Sequence, residues 1–361
     1  MVSLVGTTVL VAGASGLVGT AAVERFLADG AEVLAVSRRE PEVASERPFR
    51  HLPLDLRDRL ACQDAAPLLA GVTHIVYAAV YEMPGLVRGW TDPHQMSVNE
   101  QMLRNLLDAI EPVARDLRHV HLVHGTKVYG STLGPYKTPA RESDPRVLVN
   151  NFYYEQEDLI AQRQQGKRWT WTTSRPQAVC DTNIAVVRNL CRLIGVYAAI
   201  SRELGLALHF PGKLGAYTAI YQATDAAQLA KAIAWMAQEP RCANQTFNVT
   251  NGDYFRWVHL WPAFADHFAL KPGQPRPVRL ADAMQDKGAL WDRIVARHAL
   301  RPTPYAQAAI WPYGDFIFGH EYDVMSDVTK LHRYGYHDVV DSEAMFLRMF
   351  ASLQAQKLLA P

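Results

Sequence analysis

Thr8-Val9-Leu10-Val11-Ala12-Gly13-Ala14-Ser15-Gly16-Leu17-Val18-Gly19 is the stretch on which the fold turns. Its first five residues form a short apolar run rich in β-branched side chains, the composition of a buried strand. Gly13, Gly16 and Gly19 follow at three-residue spacing and open an amphipathic pattern that runs to about Asp29. Glycines between a strand and a helix permit a tight turn, close backbone approach to a pyrophosphate, and close packing of helix on strand. The helix N-terminus then faces the phosphates. The stretch therefore predicts a dinucleotide site carried by Gly13, Ser15, Gly16, Leu17, Val18 and Gly19.

The alternation continues outward from there. Gly30 stops the helix, and Glu32–Ser37 reads as a second strand, Leu52–Leu54 as a third and His74–Ala79 as a fourth. A helix near Val98–Leu117, a strand at His119–Val123, a helix over 152–165 and a strand over 169–174 complete the regular part. Strand-helix alternation at this spacing predicts an α/β fold, a Rossmann-type doubly wound parallel sheet with helices on both faces. After Pro176 the pattern loosens. Helices are expected near Ile184–Glu203, 224–238, 257–268 and 283–298, with a late strand at Gln245–Val249. The expected division is a nucleotide-binding domain of 1–180 and 224–250, and a smaller, discontinuous, mainly helical substrate lobe of 181–223 and 251–361.

The tip of the second strand selects the dinucleotide. A site for the unphosphorylated form places Asp or Glu there, to bond the ribose 2′-hydroxyl. Here Val36 runs into Ser37-Arg38-Arg39, with no carboxylate. One hydroxyl and two guanidinium groups suit a 2′-phosphate, so NADPH/NADP+ is the expected cofactor. Asp55-Leu56 follows the third strand, where an acid can bond the adenine amino group or cap the helix of Arg57–Leu60. Ala78-Ala79-Val80 ends the fourth strand, where small residues let a cofactor approach.

Composition bounds the partners. Across 361 residues, 37 Lys and Arg against 36 Asp and Glu give a formal charge of +1. That field is too weak to hold nucleic acid or an anionic membrane. Four cysteines without a paired spacing point to reduced thiols and a cytoplasmic setting, with Cys180 as buried filler. The uncharged stretch 1–23 lacks a basic leader and is interrupted by glycines, so it is read as neither signal nor membrane span. His119 and His121 share a strand face, but no third ligand is indicated, and no metal is expected.

These features resemble the extended short-chain dehydrogenase/reductase superfamily, which usually works with Ser or Thr and a Tyr-x-x-x-Lys helix. None of the 15 tyrosines has Lys four positions later. The fifth strand instead ends in Gly125-Thr126-Lys127-Val128-Tyr129-Gly130, with glycine at the usual serine position and a lysine at Lys127. Downstream, Asn151-Phe152-Tyr153-Tyr154 opens the helix where the active tyrosine belongs, followed by Glu157-Asp158. This pairing resembles the progesterone 5β-reductase/iridoid synthase-like (PRISE) family of NADPH-dependent enone reductases. Ser174-Arg175-Pro176, Gly195-Val196-Tyr197-Ala198-Ala199-Ile200, Phe247–Asp253 and Ile310–Asp315 are also similar to it, whereas Gln177-Ala178 replaces a Gly-Asn pair.

The resemblance implies that Lys127 and Tyr153 are catalytic and border the cofactor with Pro176 and Val179. It also implies that 195–200 lines the substrate pocket. The residues themselves leave Tyr153 and Tyr154 open, since neighbours on a helix point about 100° apart. Trp311–Phe316 could wall an apolar substrate or pack the core. The implied reaction is hydride addition to the β-carbon of an α,β-unsaturated carbonyl. Tyr153 would bond the enolate oxygen, and Lys127, as an ammonium, would stabilise charge and lower the phenol's pKa. The expected partner is a small hydrophobic carbonyl compound, with a homodimer as a further expectation. A ketone or aldehyde reductase, or a non-catalytic NADP(H) sensor, are the alternatives.

Overall fold

The computed structural model describes residues 4–83, 88–183 and 188–361. Seven strands form one sheet: β1 (Thr8–Ala12), β2 (Glu32–Ser37), β3 (Arg50–Pro53), β4 (His74–Tyr77), β5 (His119–Val123), β6 (Thr170–Arg175) and β7 (Gln245–Asn248). Ten helices matter here: α1 (Leu17–Ala28), α2 (Arg59–Asp64), α3 (Pro93–Ile110), α4 (Phe152–Gln164), α5 (Leu190–Glu203), α6 (Ala226–Met236), α7 (Trp257–His267), α8 (Gly288–Arg297), α9 (Trp311–Phe318) and α10 (Ser342–Ala355).

The sheet order is β7-β6-β5-β4-β1-β2-β3, with every pair parallel. The central strands β1, β2 and β4 are largely apolar on both faces, as a sheet covered on both sides requires, whereas β5 and β6 also bury His119, His121, Thr172, Thr173 and Ser174. Leu10, Ile75, Val120 and Leu122 pack against Leu103, Leu106, Leu159 and Ile160 of α3 and α4. Val9, Val11, Val33 and Val76 pack the other way, against Val23 and Phe26 of α1 and Leu229 and Ile233 of α6. The chain winds outward from β1 through β3 and returns to β4, so a crevice opens beyond the C-terminal ends of β1 and β4. Ligands bind doubly wound sheets at such a switch point.

A separate apolar cluster is drawn from α5, α7, α8, α9 and α10, with Trp257, Trp261, Phe264, Phe346 and Phe350 at its centre. The sequence reading assigned no helix to 342–355. The signal is nonetheless there, because Asp341 caps Ala344 N at 2.8 Å. Met345, Phe346, Met349, Phe350 and Leu353 then recur at helical spacing and are buried. Helix α3 begins and ends earlier than the expected 98–117. The Asp92 carboxylate accepts from His94 N, Pro93 takes the first helical position, and Pro112 stops the run two residues past Ile110. The expected start of α5 at Ile184 lies outside the described residues, and the helix itself begins at Leu190, capped by Asn189. Among the described residues, no helix is long and apolar enough to cross a membrane, and no group of three or more potential metal ligands occurs.

Candidate active site

The glycine loop is shaped by two close approaches. Gly13 has φ +78°, and a Cβ there would lie 2.7 Å from the backbone of Ala78 and Ala79. The β1 and β4 loops therefore touch backbone to backbone at the floor of the crevice. A Cβ on Gly19 would lie 2.1 Å from the Gly13 carbonyl oxygen. Gly19 thus seats α1 on its loop and, unlike the other loop residues assigned from sequence, does not line the cleft. Gly16 is the N-cap of α1, no side chain caps it, and the first turn carries no acid. Its amide groups are available to an anion.

A cleft of about 450 Å³ runs over Gly13, Ser15, Gly16, Ser37, Arg38, Arg39, Asp55, Leu56, Ala78, Ala79 and Val80. Arg38 and Arg39 are exposed at its rim. Ser37 Oγ donates to the Arg39 carbonyl at 2.6 Å, which folds the strand tip over. Asp55 is not the helix cap, because Asp58 accepts from Ala61 N and takes that position. Asp55 instead pairs with Arg57, whose Nε lies 3.0 Å from Oδ1, and this pairing holds the carboxyl below its usual range. The sequence reading missed Arg57 as a lining residue. It brings this end of the cleft to three guanidinium groups against one carboxylate.

The cleft continues into a cavity of about 700 Å³, sharing Gly16, Ala78, Val80 and Glu82 with it. Leu17, Val18, Lys127, Tyr153, Pro176 and Val179 line this second part, so the structure brings together every catalytic and cofactor residue assigned from sequence except Gly19. Lys127 stands on a single helical turn, Thr126–Tyr129, closed by Gly130 at φ +81°. Asn151 caps α4 and accepts from Tyr153 N at 3.1 Å, which fixes the first turn that carries the tyrosine. Both groups converge on Trp90. The Lys127 ammonium nitrogen sits 3.1 Å from the indole ring centroid, and the Tyr153 ring centroid lies 5.4 Å from it. His124 stacks on the Tyr153 ring at 4.5 Å.

The structure separates the two tyrosines. The Tyr154 hydroxyl donates to the Val128 carbonyl and accepts from Val147 N at 3.1 Å, so it fastens the loop before α4. Only Tyr153 reaches the cavity. A Cβ added at Gly125 would lie 3.7 Å from the Tyr153 hydroxyl, so this position just beyond the end of β5 is beside the phenol and carries no side chain.

Electrostatics correct one expectation. The Tyr153 phenol is pushed up by burial and by Glu82, with Arg188 opposing, so the lysine does not lower it. Burial also drives Lys127 well down, with Glu82 pulling back and Arg188 adding to the depression. The phenol is thus a firmly protonated hydrogen-bond donor, and the amine carries its charge less readily than an exposed lysine.

Other expectations are redistributed. Arg175 lies buried away from the cavity, bonded to Tyr129 at 3.2 Å and Glu157 at 3.1 Å. Residues 195–200 of α5 do not line the cavity. They are buried in the lobe core, where a Cβ on Gly195 would strike Leu359 at 2.3 Å. The apolar wall comes instead from Ile310, Tyr313, Phe316 and Ile317, while Trp311 packs into the core. Gln177 and Ala178, where the sequence departs from the family pattern, line the cavity; Glu82, Met83, Arg188 and His320 also line it and were missed, because no local pattern marks them.

Fold and cleft together define an enzyme built on a doubly wound dinucleotide-binding scaffold. Solved structures agree in fold. The UDP-glucose 4-epimerase of Thermotoga maritima superposes with a TM-score of 0.69 at 13% identity, covering 97% of this chain and 99% of that one. A short-chain dehydrogenase/reductase superfamily protein of Agrobacterium tumefaciens with bound NAD gives 0.66 at 16%, covering 97% and 98%. The family described as the PRISE-like Rossmann-fold domain matches residues 62–360, and the chain belongs to it. Among relatives, (S)-8-oxocitronellyl enol synthase of Nepeta racemosa is 33% identical over 365 residues, covering 97% of this chain and 90% of that one. The 3-oxo-Delta(4,5)-steroid 5-beta-reductase of Arabidopsis thaliana is 30% identical over 371 residues, covering 97% and 92%.

Proposed function

We propose that the protein reduces the C=C bond of an α,β-unsaturated carbonyl compound at the expense of NADPH. The observation that carries this is the convergence of Lys127 and Tyr153 on Trp90, at one end of an apolar-walled cavity continuous with the glycine-loop cleft. The residues present fit the dinucleotide. The close approach at Gly13 and the uncapped first turn of α1 suit a pyrophosphate, and Arg38, Arg39 and Ser37 suit a 2′-phosphate. When bound, the reduced nicotinamide supplies the hydride.

This chain's own residues then act on the substrate oxygen. Tyr153, kept protonated by its burial, donates a hydrogen bond to the carbonyl oxygen, and the bond strengthens as enolate charge develops. A preorganised donor of this kind lowers the barrier by about 3–4 kcal/mol. Lys127 adds positive potential beside it to the extent that it holds its proton. Hydride addition at the β-carbon needs no proton at that carbon, and the enolate it leaves takes its proton at the α-carbon from solvent. A glycine at position 125 is therefore compatible with this reaction, whereas direct carbonyl reduction must deliver a proton to an alkoxide. The names of the relatives support the same reaction class, since one is a steroid 5β-reductase of a Δ4,5-3-ketone.

The test is NADPH oxidation with cyclic and linear enones and enals beside saturated ketones, with products identified. Saturated carbonyl products are expected. Allylic or saturated alcohols as the main product would replace this reading with carbonyl reduction, and cofactor binding without turnover on the whole panel would replace it with a sensor.

A further inference from the structure

Two charged side chains in the cavity have no part in the scheme above. Glu82, just beyond β4, and Arg188, just before α5, lie 106 residues apart in sequence and form an ion pair, Arg188 Nη1 to Glu82 Oε2. Their side chains keep 27% and 36% of their surface, and both line the cavity that contains Lys127 and Tyr153. The Arg188 guanidinium also faces the Tyr313 ring at 6.0 Å. The pair joins a segment of the nucleotide-binding body to the entrance of a lobe helix, beside the two reacting groups.

The other titratable groups around Lys127 are neutral. They are Tyr153 on α4, Tyr313 on α9, His124 beyond β5, and His320 after α9. Burial pushes both phenols up and both imidazoles down. Near neutral pH, the charges in the cavity among the described residues are therefore Glu82, Arg188 and whatever Lys127 carries. Both members of the pair act on both reacting groups with opposite sign. Glu82 favours the ammonium and disfavours the phenolate, Arg188 does the reverse, and Glu82 is the stronger in each case.

We propose that Glu82 and Arg188 are a positioning pair for Lys127 and Tyr153, each partner holding the other's charge so that neither acts alone on the amine or the phenol. This rests on the reading of Lys127 and Tyr153 as the reacting groups. Removing one partner leaves a bare charge in the cavity that Lys127 lines. At an effective dielectric of about 20, such a charge moves a titration by on the order of one pH unit. Arg188→Gln leaves Glu82 alone and retains the ammonium to higher pH. Glu82→Gln leaves Arg188 alone and frees the amine at lower pH. The double variant cancels most of either shift.

The experiment reads the lysine directly. The free protein is acylated by acetic anhydride across a pH series, and modification of Lys127 is quantified by peptide mass spectrometry. At a fixed pH about two units below the midpoint, labelling should fall about tenfold in Arg188→Gln and rise about tenfold in Glu82→Gln, with the double variant between them. Shifts of the same sign, or none, overturn the proposal, because a merely structural tie would disturb both singles alike. Should a single variant not fold, the charge-swapped protein Glu82→Arg/Arg188→Glu decides. It remakes the pair with the cation at the stronger position, so Lys127 should label at lower pH than in the wild type, and an unchanged midpoint refutes the idea. The pH profile of enone reduction is measured alongside. If it ignores shifts that the labelling detects, the pair is upheld and the catalytic reading of Lys127 falls.

Discussion

Acid should unfold this protein early, and the reason is written along two adjacent strands. On one face of β5, His119 and His121 alternate with hydroxyls from β6. His119 Nδ1 lies 2.9 Å from Thr170 Oγ1 and its Nε2 2.8 Å from Thr172 Oγ1, while His121 Nδ1 lies 2.8 Å from Thr172 Oγ1 and its Nε2 2.9 Å from Ser174 Oγ. A neutral imidazole has one donor and one acceptor, which this ladder matches, and a protonated ring has no place in it. Burial holds His119 and His124 well below the ordinary 6.5, His121 at about 3 and His74 at about 4.

The unfolded chain protonates all four below pH 6.5 while the folded chain does not. Depressed imidazoles therefore contribute stability that is complete above 6.5 and is lost as pH falls. Asp181 works the other way, since burial raises it to about 6 and the folded form then holds the extra proton. His320 and Glu142 shift in directions that oppose each other in this balance. Four protons less one leave a slope of about 4 kcal/mol per pH unit near pH 5, and a loss of about 7 kcal/mol between pH 8 and pH 5. Against a total of about 5–15 kcal/mol, that predicts cooperative unfolding between about pH 3 and 5.5. Urea unfolding followed by circular dichroism at a series of pH values measures it. His121→Gln should reduce the slope by about 1.4 kcal/mol per pH unit, whatever it does to stability at pH 8. A stability constant between pH 7 and 5, or an unaltered slope in that variant, would refute the reasoning.

Tyr153→Phe should bind NADPH normally and lose roughly 10²–10³ in turnover with an enone. Tyr154→Phe should instead lower the melting temperature, through the loop bonds to Val128 and Val147, with a smaller effect on rate. Arg38→Ala should weaken NADPH binding about tenfold or more, by loss of a charge-assisted contact, and leave NADH nearly unaffected; equal losses by titration calorimetry would remove the 2′-phosphate assignment. Ala178 holds φ +40° in the cavity wall, so Ala178→Gly should raise the unfolding free energy by roughly 0.5–1 kcal/mol, because glycine adopts that backbone without strain.

What could be read from sequence was whatever the backbone demands locally. Gly13 must be glycine because two loops meet there, and the consequence, a dinucleotide crevice, is visible in twelve consecutive residues. Asn151 announces the start of α4 by its capping chemistry, which places Tyr153 in the first turn. What stayed hidden depends on contacts between distant segments. Trp90 carries no pattern of its own, yet it is the surface on which Lys127 and Tyr153 meet. Glu82 and Arg188 each read as an ordinary surface charge until the fold closes the sequence separation of 106 between them.

The family resemblance bridged that gap for the lysine and the tyrosine, since their flanking motifs are local. It misled at 195–200, where an apolar helix of the right length serves the lobe core and the wall comes from Ile310, Tyr313, Phe316 and Ile317. It misled also on the phenol, because a sequence carries no measure of burial, and burial decides the sign of that shift. The chemistry therefore divides by range. The residues that hold phosphate are set by turns a few residues long, and those that tune the reacting pair are set by tertiary closure. A substitution outside the recognisable motifs, at Arg188, should thus alter the pH response while cofactor binding at the glycine loop persists.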